Sequence, residues 1–299
     1  MRTSLKRFLG LLVAGWGAWA LAASGHPGWG IVQDAAGNVY FTDTHQVWQV
    51  TPEDRLVLVV PRVHTHELAL DAEGNLLGEH LWYEGDATGK WGHRIWMRKP
   101  DCTVRDLIPP REGFRRDFSF VRDAQGNQYW AERAGRTVIK RRDSLGKVTT
   151  HATGPFRSLE RMVATPDGSL ALMDAGSLRL VSPQGAVRTL VPLLTGINAP
   201  ARTVAELNYH MGIWQDAEGG YFVAANAERH VLRIDAAGVV SVADRSAAPW
   251  APSGGMVDRQ GRLWILEHDP RNRVRVRRTD SAGAVRIFAP DAASGSAAR

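Results

Sequence analysis

Residues 64–80 read HTHELALDAEGNLLGEH. His64, His66 and Glu67 open the stretch, and Glu79 and His80 close it. Imidazole and carboxylate groups at this density suit two kinds of chemistry. They can hold a transition ion such as Zn²⁺, which accepts nitrogen as well as oxygen ligands, whereas Ca²⁺ prefers oxygen. They can also move protons near neutral pH, where histidine titrates. Further along the chain, Glu160, His210, Glu267 and His268 offer the same groups. The candidate metal ligands are His66, His80, Glu160 and His210, with Glu160 and His66 as candidate catalytic residues. The corresponding cofactor is one divalent metal, Zn-like or Ca²⁺; without it the protein has none.

The elements that must position these residues are visible as a repeat. DAEGN has five relatives: DAAGN at 34–38, DAQGN at 123–127, TPDGS at 165–169, DAEGG at 216–220 and DRQGR at 258–262. Self-similarity at spacings of about 40 residues marks a repeat architecture. Each copy follows a short apolar strand and precedes another, and Gly supplies the positive φ that a tight reversal needs. Third and fourth strands follow, as in HVLRIDAAGVVSVA at 230–243. Four strands per unit, six times over, without an amphipathic helix, predict an all-β fold. A six-bladed β-propeller with four antiparallel strands per blade satisfies this pattern, because the ring leaves only short edges. The expected blades span about 26–61, 62–109, 115–153, 157–193, 208–245 and 251–290. They form one domain over 24–290.

In such a meander all the Asp-Gly turns share one face, and most of the unusual residues fall on the opposite one. Five residues before each Asp slot stand Trp29, His66, Phe118, Glu160, Met211 and Ser253. Nine residues after it stand Asp43, His80, Glu132, Asp174, Ala225 and Glu267. Counting across the DAEGN hairpin places His66 beside His80, and pairs Glu67 with Glu79 on the other sheet face. The recurring acid of the second set suits a structural role, such as accepting backbone N–H bonds in the next loop. His80 departs from that pattern. His64 and His268 are expected as outer support. The segment 81–93 brings Trp82, Tyr83, Trp91 and His93, and the link 109–118 brings Arg111, Arg115 and Arg116. Together with His64, Glu67, Glu267 and His268, these are the candidate ligand-binding residues. An aromatic loop beside an arginine cluster fits an anionic or carbohydrate-like ligand; the alternative is a lid packed over the blade edge.

The pattern D-x-x-G-N followed by an apolar strand, with third strands such as V-x-R-I in HVLRID, resembles the NHL repeat. It is also similar to the six-bladed propellers of the SMP-30/gluconolactonase-like superfamily. The resemblance covers about residues 26–290. Its gluconolactonase branch implies a divalent ion at the channel that polarises a lactone carbonyl for attack by water. Family ligands, acidic residues and Asn, occupy the slot before the first strand. Here only Glu160 fits that slot, so the lactonase pattern is not retained. Streptogramin lyase, a propeller of the same broad kind with a His/Glu site, has seven blades rather than the six counted here. Two readings therefore stand. One is an exported propeller that binds a small ligand near its channel, extending to a metal-assisted hydrolase or lyase. The other is a non-enzymatic NHL-type protein-interaction or sensing module.

Residues 1–23 read as a cleaved signal peptide: Arg2, Lys6 and Arg7 precede an apolar run ending in small residues. No cysteine lies near the cleavage site, so the expected location is periplasmic or secreted, and the protein is not a lipoprotein. Removing those three basic residues lowers the formal net charge from +6 to +3. That balance and export disfavour a nucleic-acid partner. The expected partner is a small-molecule ligand or an extracytoplasmic protein, with no membrane span after cleavage and a monomeric state. The lone Cys102 excludes an intramolecular disulfide. The Arg-rich string RNRVRVRR at 271–278 alternates with valine and reads as an exposed strand face. Residues 291–299 are expected to be a disordered tail.

Overall fold

The computed structural model describes residues 27–83, 90–112, 121–194 and 210–290. The expected signal peptide, the 291–299 segment, Arg115, Arg116 and Phe118 lie outside the described residues.

Twenty-three strands and no α-helix occur among the described residues. Blade one is β1 (Ile31–Gln33), β2 (Val39–Thr42), β3 (Val47–Val50) and β4 (Leu56–Val60). Blade two is β5 (Leu68–Leu70), β6 (Leu76–Tyr83), β7 (Trp91–Arg98) and β8 (Val104–Glu112). In blade three β9 (Gln128–Ala134), β10 (Arg136–Arg142) and β11 (Val148–Thr153) are described, and a bridge from Arg122 to Gln128 marks where the inner strand pairs. Blade four is β12 (Leu159–Ala164), β13 (Leu170–Asp174), β14 (Ser177–Val181) and β15 (Val187–Val191). Blade five is β16 (His210–Gln215), β17 (Tyr221–Ala225), β18 (His230–Ile234) and β19 (Val240–Arg245). Blade six is β20 (Ala251–Val257), β21 (Leu263–His268), β22 (Val274–Thr279) and β23 (Val285–Phe288). Every sheet is an antiparallel meander in chain order, and the fold is a six-bladed β-propeller.

The turns behave as their composition dictates. Gly37, Gly74, Gly126, Gly168, Gly219 and Gly261 all have φ between 74° and 88°, a region that L side chains avoid. The preceding Asp carboxylate pins the turn: Asp34 Oδ1 accepts the N–H of Asn38 at 2.9 Å. In blade four Thr165 holds the Asp slot, and Asp167 takes over by accepting from Thr165 Oγ1 at 2.5 Å and the Ser169 N–H at 3.0 Å.

The core lies between blades. Met173, Leu178 and Leu180 of blade four meet Tyr221, Val223 and Leu232 of blade five, all buried. Phe41, Trp48 and Val50 of blade one meet Trp264, Leu266 and Val276 of blade six. Each such side chain contributes roughly 1.5–3 kcal/mol when fully buried. The contact between blades six and one closes the ring without strand exchange, because each sheet is contiguous in sequence. Polar pins reinforce it: Ser253 Oγ donates to Gly28 O at 2.7 Å, and Arg278 and Arg286 both ion-pair with Asp54. No helix among the described residues is long and apolar enough to cross a membrane.

Candidate functional site

The inner strands do not follow simple counting from the turns. In β12–β13 the register shifts between Leu159 and Arg161, in β20–β21 between Pro252 and Gly254, and in β16–β17 between His210 and Ile213. A β-bulge adds one residue and re-aims its neighbours. Glu160 and Ser253 are the extra residues. Consequently the slot four residues before the Asp position matters most at the axis. Among the described residues it holds Gly30, Glu67, Arg161, Gly212 and Gly254.

The glycines in this slot mark close strand approach. A Cβ on Gly212 would stand 2.7 Å from Gly254 Cα, and one on Gly30 would stand 2.6 Å from Leu68 N. A Cβ on Gly254 would collide with the Trp29 carbonyl oxygen. Blades five, six, one and two therefore draw together backbone to backbone. Glu67 and Arg161 are the charged side chains in the same slot. Both line a cavity of about 180 Å³ between the inner strands, with Trp29, Ile213, Trp214 and Met256 in its wall.

Arg161 is held from two sides. Its Nη1 donates to Glu160 O at 2.8 Å, and its Cζ sits 3.9 Å above the Trp29 ring. Its Nε is buried without a partner. Burial lowers its pKa from the usual arginine value, opposed by Glu67 and Glu160. Glu67 keeps partial access to solvent. Its pKa is pushed up to about 7, first by burial and then by the Glu79 charge, against Arg161 and Arg122. No ion pair within 4 Å joins Glu67 to Arg161. A carboxyl group poised near neutrality and a guanidinium thus share one cavity without closing on each other.

Beside this cavity the hairpin of blade two is arranged differently from the sequence expectation. His66 bonds to Glu79, one residue before His80. Glu79 Oε1 accepts the His66 N–H at 2.9 Å and lies 3.0 Å from His66 Nδ1. The ladder of β5 begins at Leu68, and ahead of it the Leu81 N–H donates to the His64 carbonyl at 3.1 Å. The His66 carbonyl accepts the N–H groups of Trp29 and Gly30, both at 2.8 Å, which ties this segment to blade one. The His66 ring stacks on Trp29 at 5.7 Å and meets the His64 ring edge-on at 4.5 Å. Glu67 and Glu79 lie close enough for their charges to oppose each other.

The remaining expected site residues sit elsewhere. His80 Nδ1 accepts the His64 N–H at 2.9 Å, and its ring stacks on Trp82 at 5.9 Å. Its pKa is lowered by burial and by Arg94, with Asp106 opposing. Trp82 faces Gly92 across the β6–β7 ladder, where any Cβ would strike the indole. Tyr83 and Trp91 are backbone partners at the end of that ladder. His93 is fully buried in β7 and is not a loop residue. Arg111 pairs with His93 in β8. His210 is 2% exposed, and burial lowers its pKa to about 4. Glu267 is fully buried, bonded to Ser246, Arg275 and Arg277 at 2.6, 2.6 and 3.2 Å. His268 Nε2 lies 2.7 Å from the Asn226 amide, and burial lowers its pKa against Asp269. The other recurring acids are tied into local structure too. Asp43 Oδ1 accepts the N–H groups of His45 and Gln46, and Asp174 Oδ1 those of Arg157 and Ser158.

The fit to a metal is poor. Among the described residues, no three His, Cys, Asp or Glu side chains are placed to hold a metal ion. His66, His80, Glu160 and His210 do not form such a group. Arg161 and Trp214, by contrast, enter the site unforeseen. Comparing the repeats one slot later would have exposed Arg161, as a charge where three blades carry glycine.

No protein-family model matches the sequence, and no curated protein matches it. Solved structures do share the fold. A gluconolactonase from Xanthomonas campestris aligns with a TM-score of 0.56 at 14% identity, over 82% of this chain and 84% of that one. Virginiamycin B lyase from Staphylococcus aureus aligns with a TM-score of 0.52 at 13% identity, over 87% and 83%. An auxiliary nutrient binding protein from Bacteroides thetaiotaomicron aligns with a TM-score of 0.56 at 10% identity, over 87% and 69%. These identities speak for fold, since one propeller frame hosts many functions. The chain is a six-bladed β-propeller whose structural neighbours include a gluconolactonase, a lyase and a nutrient-binding protein.

Proposed function

We propose that this protein binds a small polar ligand in its central channel, between Glu67 on blade two and Arg161 on blade four. The observation that carries the reading is the shared cavity of about 180 Å³ in which the two opposite charges leave each other unpaired. Buried charges in a structural role are normally paired and hydrogen-bonded, because an unpaired one costs free energy. Titratable groups left open in a concave site are a functional signature. The cavity is smaller than the roughly 300–1,000 Å³ of drug-sized pockets, so it suits a small molecule or the end of a larger one.

Proton-transfer chemistry is the second reading, favoured by the position of Glu67. A carboxyl near pKa 7 can give or take a proton at neutral pH. In a hydrolase or lyase it would act as general acid or base, with Arg161 stabilising developing negative charge. Names of the structural neighbours include both enzymes and a binding protein, and both readings use the same cavity. The N-terminal sequence supports export, and intact-mass measurement of the protein from the cell envelope tests removal of residues 1–23.

Thermal-shift screening against small polar compounds tests the site. At least one compound should raise the melting temperature of the wild type, and the Glu67→Gln, Arg161→Met double variant should lose that shift. An equal shift in wild type and double variant would place the binding site outside the channel.

A further inference from the structure

Which ligand class the channel takes can be read from its donors. We propose that the cavity selects compact monocarboxylates, gripped by the Nε–Nη2 edge of Arg161. This rests on the channel reading above and deepens it.

Guanidinium presents its donors in a fixed fork that matches a carboxylate with two parallel bonds. In Arg161 the Nη1 corner is committed to the Glu160 carbonyl, while Nε is buried and has no acceptor. That leaves the side-on edge for an incoming group. The Trp29 ring under the guanidinium, 3.9 Å from Cζ, fixes the plane of the fork before any ligand arrives. Trp214, also in the cavity wall, is only 6% exposed, and its indole N–H has no acceptor either. Two buried donor groups without acceptors point to a ligand rich in acceptor oxygens. A neutral ligand would leave the guanidinium edge underused, and buried donors left unpaired discriminate strongly.

Charge balance limits the anion. Glu67 and Glu79 stand near the site and face Arg161 and Arg122, so the acids already match the two guanidinium groups and a dianion such as phosphate would bring a further negative charge against them. A single carboxylate instead offsets Arg161, the one guanidinium among the described residues of the cavity wall. Glu67 then serves the rest of the ligand, accepting from a hydroxyl when ionised and donating when protonated. The volume of about 180 Å³ equals roughly six waters of liquid volume. Short hydroxycarboxylates are of this size.

The test is titration calorimetry on the wild-type protein, supported by tryptophan emission, since Trp29 and Trp214 line the cavity. The probes are acetate, glycolate and lactate, each against its amide, with glycerol and inorganic phosphate as contrasts. At least one carboxylate should bind about tenfold or more tightly than its amide, and phosphate should bind more weakly. Arg161→Lys keeps the charge and removes the two-donor edge. It should weaken carboxylate binding per folded molecule by about 10- to 100-fold. Equal binding of carboxylates and amides, tighter phosphate binding, no binding of any carboxylate, or an unaltered Arg161→Lys variant would each overturn the assignment. Glycerol or an amide that binds through Glu67 and ignores Arg161 would overturn carboxylate selection while leaving the channel site standing.

Discussion

Two acid–guanidinium clusters in this propeller use the same residue types to opposite ends. In blade six Glu267 is enclosed by Ser246, Arg275 and Arg277, and Arg277 also pairs with Asp244. Every strong group there is matched by another. In the channel Glu67 and Arg161 share a cavity but not an ion pair, and the guanidinium keeps a buried nitrogen without a partner. The first cluster is closed and holds neighbouring strands together. The second is open, and its unmet bonding capacity is what a ligand can use. Satisfaction, not residue type, separates structure from site.

The largest expected effect lies in the closed cluster. Glu267→Ala leaves Arg275 and Arg277 buried with fewer acids, and breaking a buried pair costs about 3–5 kcal/mol. Urea unfolding should show that loss, while channel binding per folded molecule stays unchanged. A loss below about 1 kcal/mol would place Glu267 among weakly coupled groups and blur the contrast.

His210 sharpens the comparison by a third strategy, burial of a group in its neutral form. Burial lowers its pKa to about 4, below the ordinary value near 6.5. Between those values the unfolded chain binds the extra proton, so stability falls as pH drops from about 6.5 toward 4. The full shift corresponds to about 3 kcal/mol. His210→Gln should flatten this acid limb in denaturation measured at pH 4.5 and 7. The limb should shrink rather than vanish, because burial also lowers His80, His151, His230 and His268. An identical acid limb in the variant would show that His210 is hydrated.

What the sequence revealed follows from the same distinction. The six Asp-Gly turns are local, and a positive-φ glycine with its pinning carboxylate is written in five consecutive residues. The fold was therefore legible. The site was legible only in part. Glu67 lines the cavity, but Glu160 was expected at the axis where Arg161 stands, because a bulge shifts the count by one. His66 bonds to Glu79, a partner that counting across the turn did not supply. Arg275 and Arg277 read as an exposed strand face, since alternation with valine shows only that one face is apolar. Glu267 on the adjacent strand and Asp244 of the neighbouring blade cover the other face. Bulges and long-range pairing leave little trace in local pattern.

The smallest of these effects is also the most direct probe of the open cluster. Glu67 has its pKa raised to about 7 by burial and by the neighbouring Glu79 charge. The folded state therefore binds more protons than the unfolded chain between the ordinary value near 4.5 and about 7. Stability contributed by this group is present below that window and is lost as pH rises through it. Glu67→Gln keeps the shape of the protonated acid and cannot ionise. The variant should match the wild type at pH 4.5 and exceed it at pH 8 by on the order of 2 kcal/mol, allowing for partial solvent access. Urea midpoints at the two pH values measure the difference. A carboxylate ligand should narrow the gap only if it neutralises the site, whereas it would add a further negative charge beside ionised Glu67. Wild-type affinity for lactate should therefore fall from pH 6 to pH 8, and Glu67→Gln should remove that fall. A gap equal at both pH values would mean that Glu67 is paired and closed like Glu267, and the contrast between the two clusters would collapse.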